Sequence, residues 1–116
     1  MTKVSFYRTE AGWRGFEAVG HANWGAYGED IVCAAVSALT QTTALGLTKV
    51  LAIDCQIVVK ETDGALFCLL PDGLSQEQWE RAQLVLNVFY TGLMAIMDEV
   101  EYRKHLSVKE VPYREN

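Results

Sequence analysis

His21 and Cys33 are the residues whose types and spacing carry chemistry. A cysteine thiol can attack a carbonyl carbon. An imidazole beside it can take the thiol proton and return it to a leaving group. Between the two lies a loop with Gly25, Gly28 and two large aromatics, Trp24 and Tyr27. The loop ends at Glu29-Asp30, and an apolar run begins at Ile31. An acidic residue just ahead of an apolar run predicts a helix start, with Asp30 as the N-cap. Ile31, Val32 and Cys33 then fill the first helical turn. Free backbone N–H groups and the positive end of the helix dipole face the Cys33 sulfur. That is an electropositive setting of the kind nucleophilic cysteines use.

The flanking residues each carry two readings. Gly20, Gly25 and Gly28 permit backbone shapes closed to other residues, so the loop reads as a cover that orders on substrate. Trp24 and Tyr27 either stack on apolar substrate residues or pack on the protein itself. Asp30 caps the helix, or it also orients His21 as the third group of a triad does. Ser37, one turn after Cys33 on the same face, either touches substrate or bonds a carbonyl one turn back, the commoner arrangement. Gly20, Ala22, Trp24, Gly25, Tyr27, Gly28 and Ser37 are the candidate substrate contacts. Cys33 taken alone is a small apolar core residue more often than a nucleophile. Cys55 and Cys68 sit in or beside strand patterns and read as core. His105, just past the second helix, reads as structural.

Gly20-His21-Ala22, a glycine-rich gap, then Gly28, Asp30-Ile31-Val32-Cys33-Ala34 and Ser37 resemble the motif of the ribosomal-processing cysteine protease family (Prp, or YsxB-like). Chain length and two-helix layout match that family end to end. The resemblance implies a catalytic dyad of His21 and Cys33 acting without metal or cofactor. It implies a substrate: bacterial large-subunit ribosomal protein twenty-seven, made with a short N-terminal extension that ends in aromatics and must be removed. A rival from another class is a non-enzymatic ribosome-assembly or interaction module, in which Cys33 is core and the loop docks a partner. A thiol redox enzyme is disfavoured, since no resolving cysteine lies close in sequence.

Composition agrees with the peptidase reading. The 116 residues are one domain by size, with 50% hydrophobic and 22% charged residues. A net charge of −5 excludes the basic footprint of a nucleic-acid binder and suits a basic protein partner. Three cysteines with no C-x-x-C pattern argue against a disulfide framework or a zinc ribbon, and reduced thiols point to the cytoplasm. The N-terminus lacks a signal-peptide apolar region. The apolar run over residues 31–48 is diluted by Ser37 and a Thr-Gln-Thr-Thr patch, so no membrane span is assigned.

The elements follow from periodicity. Residues 3–8 and 15–22 read as a hairpin, and residues 30–51 as a helix apolar nearly all round. Residues 56–62 and 65–70 flank Asp63-Gly64, a strong hairpin signal. Ser75 and Gln78 form a capping box opening a helix that runs to about residue 103. Leu84, Val88, Met94 and Met97 add a second apolar stripe, which predicts a homodimer contact. Residues 106–113 read as a last strand. The order ββ-α-ββ-α-β predicts an α+β fold, with two helices packed on one antiparallel sheet.

Overall fold

The computed structural model of the chain describes residues 1–20 and 29–114. Thr2–Thr9 (β1) and Gly12–Val19 (β2) form an antiparallel hairpin. Thr2, Val4 and Phe6 alternate inward, opposite the buried Phe16 and Ala18, the period-two pattern of a half-buried strand. Glu29–Leu45 is α1, continued by a π-helical turn over Gly46–Val50. Gln56–Lys60 (β3) and Ala65–Leu69 (β4) form the second hairpin. Gln76–Asp98 is α2, and Leu106–Pro112 is β5. The element order is the one expected, and the sheet order is β3-β4-β2-β1-β5.

One pairing departs from an all-antiparallel sheet. β5 runs parallel to β1, whereas β1–β2, β2–β4 and β3–β4 are antiparallel. The cause is α2. Its 23 residues span about 34 Å, enough to carry the chain back along the sheet. Strands joined by such a crossover run parallel. β4 and β1 already point the same way, two antiparallel pairings apart, and β5 joins them.

Both helices pack on one face of the sheet. Phe6, Phe16 and Phe89 form the centre, with Phe89 4.9 Å from Phe16 and 5.4 Å from Phe6 between ring centroids. α2 starts as expected: the Gln78 N–H donates to Ser75 Oγ (3.1 Å), and the Ser75 N–H donates to Gln78 Oε1 (2.9 Å). It ends at Asp98, about a turn before the expected end, because Glu99 leaves helical geometry. Gln83 ties α2 to β2 by accepting from the Trp13 N–H and donating to the Trp13 carbonyl, both at 2.7 Å. Of the second stripe, Leu84 and Val88 are exposed, while Met94 and Met97 are half-buried.

α1 is amphipathic rather than buried all round. Val32, Val36, Thr40, Thr43, Ala44 and Leu47 face the core. Ile31, Val50, Ala34, Ala38 and Leu45, apolar positions of a helix expected to be apolar nearly all round, are exposed. By length and composition Asp30–Val50 could cross a membrane, but here its inner side packs in the core. The π turn rotates the register, and the Leu51 N–H donates to the Gly46 carbonyl at 3.0 Å. The second hairpin is not a two-residue Asp-Gly turn. Lys60 pairs with Ala65, and a single 3-10 turn, Glu61–Asp63, leads to Gly64 at φ 60.

Candidate active site

α1 begins at Glu29, one residue before the Asp30 expected to cap it. Asp30 is therefore an exposed first-turn residue and not the N-cap. Acidic pairs at helix starts can enter the first turn because the dipole favours them there as well. Among the described residues the Asp30 carboxylate has no hydrogen bond or ion pair. Cys33 is the fifth helical residue, half-buried. Helical Cα–Cβ bonds tilt toward the N-terminus, so its sulfur leans over the turn whose N–H groups have no helical partner.

The end of β2 meets this sulfur. A methyl group added at Gly20 would come within 3.2 Å of Cys33 Sγ and 3.9 Å of the buried Thr2 side chain. Glycine thus lets the strand end lie directly against the thiol. The β3–β4 turn closes the other side of Gly20. The Gly20 N–H donates to the Gly64 carbonyl at 3.1 Å. Any side chain at Gly64 would overlap the Gly20 carbonyl oxygen, and its left-handed backbone independently favours glycine. Strand end and hairpin turn therefore meet at Gly20, with Cys33 Sγ of the helix start beside it.

From there an open groove of about 360 Å³ runs between α1 and the β3–β4 hairpin. Gly20 and Gly64 lie at its head, Ser37 and Gln41 along its helix wall, and Val59, Leu66 and Ala18 on its sheet side. Ser37 is exposed, and among the described residues its hydroxyl does not make the back-bond weighed for it. Thr40, Thr43 and Thr48 make that bond instead, to the carbonyls of Val36, Leu39 and Ala44. Of the other candidate residues, His21, Ala22, Trp24, Gly25, Tyr27 and Gly28 lie outside the described residues. Sequence reasoning missed Gly64, Thr2, Ala18, Val59 and Leu66 as site residues. The Asp63-Gly64 pair carried a turn signal, but only the β2–β4 register brings that turn to Gly20.

Cys68 is buried in the core, as expected. Cys55 is half-buried just ahead of β3. The two thiols are hydrogen-bonded to each other. That bond lowers the Cys55 pKa against the opposing effects of burial and the Asp54 charge. The same bond, then burial and the nearby Cys55 charge, push the Cys68 thiol up. His105 is buried in a 3-10 turn seven residues past the end of α2, so it holds the entry to β5 rather than the helix end. Among the described residues no group of three His, Cys, Asp or Glu side chains is placed to hold a metal.

A thiol near a helix start, beside a glycine strand end that lines an open groove, on an α+β sheet, fits a cysteine peptidase. The family model for cysteine protease Prp matches residues 1–107, and the chain belongs to that family. It is 29% identical over 93 residues to the ribosomal processing cysteine protease Prp of Bacillus subtilis, covering 80% of this chain and 81% of that one. Solved structures share the fold. A Streptococcus mutans protein superposes with a TM-score of 0.79 at 26% identity, covering 97% of this chain and 99% of that one. The ribosomal processing protease Prp of S. aureus, in complex with a substrate peptide, superposes with a TM-score of 0.82 at 24% identity, covering 96% and 100%.

Proposed function

We propose that this cysteine peptidase removes the N-terminal extension of bacterial large-subunit ribosomal protein twenty-seven, using Cys33 and His21 as its dyad. The observation that carries the reading is how near Gly20 lies to Cys33 Sγ, which a methyl group added at Gly20 would meet at 3.2 Å. His21 is the next residue in the sequence after Gly20, and the family resemblance pairs it with Cys33. The relatives support the substrate class: the Bacillus subtilis protein is a ribosomal processing protease, and the S. aureus protein has also been solved with a covalently linked product peptide.

In this mechanism His21 takes the Cys33 proton, and Sγ attacks the scissile carbonyl carbon. The oxyanion faces the partnerless N–H groups of the first turn of α1. Collapse breaks the C–N bond, and the imidazolium gives its proton to the departing amine. Water, deprotonated by His21, then cleaves the thioester. The extension leaves as a carboxylate, and the Cys33 thiol is restored. Asp30 orients His21, and Trp24 and Tyr27 in the glycine loop cover the apolar extension. The protein works in the cytoplasm, on a protein partner rather than on nucleic acid or a membrane.

A peptide with an apolar, aromatic-ended extension followed by a basic ribosomal-protein start tests the reading by mass spectrometry. A single cut at the junction is expected. Its rate at low substrate should fall as salt rises, because the net charge of −5 attracts the basic half. An uncut peptide contradicts the proposal.

The partner in the resting state is a second copy of the chain. Leu84 and Val88, one turn apart on α2, are 68% and 67% exposed, and paired apolar side chains left in water favour an interface. Leu84→Glu with Val88→Glu is expected to give monomer mass by light scattering without loss of helix content. A wild-type chain already monomeric at micromolar concentration would rule the dimer out.

A further inference from the structure

We infer that Gly64, in the turn between β3 and β4, is a positioning residue for the nucleophile: having no side chain, it lets the turn hold the Gly20 backbone in place beside Cys33 Sγ. This rests on the peptidase reading above.

The sheet register brings the turn to the strand end. Val19 pairs with Ala65, so Gly20 and Gly64 form the next rung of the ladder. The Gly20 N–H closes that rung by donating to the Gly64 carbonyl at 3.1 Å. The Gly20 carbonyl is fitted as closely. A methyl group added at Gly64 would overlap its oxygen and lie 3.2 Å from its carbon. Gly20 in turn lies against the sulfur and the buried Thr2, which a methyl group added at Gly20 would meet at 3.2 and 3.9 Å. Turn, strand end and sulfur thus form a chain of near neighbours.

Backbone shape alone does not account for Gly64. Gly64 and Gly73 both have left-handed backbones, at φ 60 and φ 80, where other residues are strained. A methyl group at Gly73 would meet nothing within 4 Å. At Gly64 the obstacle is backbone, so no side-chain rotation relieves it. A larger residue there must push the Gly20 carbonyl aside, and the next neighbour along is the reactive sulfur. A misplacement of about 1 Å can cost ~10²-fold in rate. The loss falls mainly on kcat, because the sulfur acts in the chemical step.

The test compares Gly64→Ala, Gly64→Asn and Gly73→Ala in the full chain. Asparagine tolerates the left-handed backbone better than alanine does but carries the same Cβ, so it separates strain from overlap. Both Gly64 variants should lower kcat about 10- to 100-fold, with KM within roughly threefold of wild type. Gly73→Ala should lower the melting temperature and keep the wild-type kcat. Wild-type kcat in Gly64→Asn overturns the inference, and so does an equal loss in Gly73→Ala. Gly64→Asn decides alone if Gly64→Ala does not fold; a Gly64→Asn chain that also fails to fold makes Gly64 a structural residue and overturns the inference too. The Cβ signal of Cys33, read by NMR on cysteine-labelled protein, does not depend on turnover. It should move in Gly64→Asn and stay in place in Gly73→Ala. If wild type cuts no peptide, the peptidase reading fails, and a moved Cys33 signal still supports control of the sulfur by Gly64. An unmoved signal overturns it.

Discussion

Cys33→Ser is expected to bind the extended peptide with a Kd within roughly threefold of wild type and to cleave it at least ~10³-fold more slowly. Binding should survive because the groove between α1 and the β3–β4 hairpin, lined by Ala18, Ser37, Gln41, Val59 and Leu66 among others, does not have Cys33 in its lining. Serine is also close to cysteine in size, so the contact with Gly20, where a methyl group would come within 3.2 Å of the sulfur, is kept. Cleavage should fail because a hydroxyl is far less readily deprotonated than a thiol by the same imidazole, and it is the weaker nucleophile. The loss should appear in kcat and leave substrate affinity nearly unchanged. A variant that retained wild-type turnover would remove Cys33 from the chemistry. A variant and a wild type that bound alike, with neither shortening the peptide, would favour an assembly module.

His21→Ala is expected to lower kcat by ~10²–10⁴-fold at saturating peptide, the usual range for loss of a general acid-base group. His21 acts twice in acylation, taking the thiol proton and protonating the amine, and once in deacylation, deprotonating the water, so acylation should suffer most. The strand end before it is held independently of its side chain, by the Gly20–Gly64 hydrogen bond and the packing against Thr2 and Cys33. The melting temperature should therefore move little. A collapsed melting temperature with proportionate activity per folded molecule would mean that His21 is a structural residue.

What could be read from the chain alone was local, and what escaped was set by distant pairings. The Ser75–Gln78 capping box depends on residues within a few positions of one another, and it appears as expected. The helix around Cys33 was visible from the switch at Ile31, yet its start fell one residue early because Glu29 and Asp30 are both acceptable first-turn residues. The direction of β5 was invisible: Pro112 and the β-formers before it mark a strand end but carry no information on which neighbour it meets. The same holds for the groove. Val59 and Leu66 look like ordinary strand residues until the β3–β4 and β2–β4 registers line them up with Ala18 beside α1. The thiol pair of Cys55 and Cys68 has the same origin, since the residues are distant in sequence and adjacent only in the folded hairpin.

Limited alkylation, read by peptide mapping together with turnover, tests the role of Cys33 most directly. Iodoacetamide is added below one equivalent near neutral pH, and each aliquot is mapped at Cys33, Cys55 and Cys68 while its cleavage rate is measured. Cys68, fully buried, should stay unmodified in the folded protein. Cys55, half-buried and with its pKa lowered, is the internal competitor. Residual turnover should fall in direct proportion to the fraction of Cys33 modified and should not depend on the fraction of Cys55 modified. Turnover that stays at the starting rate while the modified fraction of Cys33 rises would contradict the account.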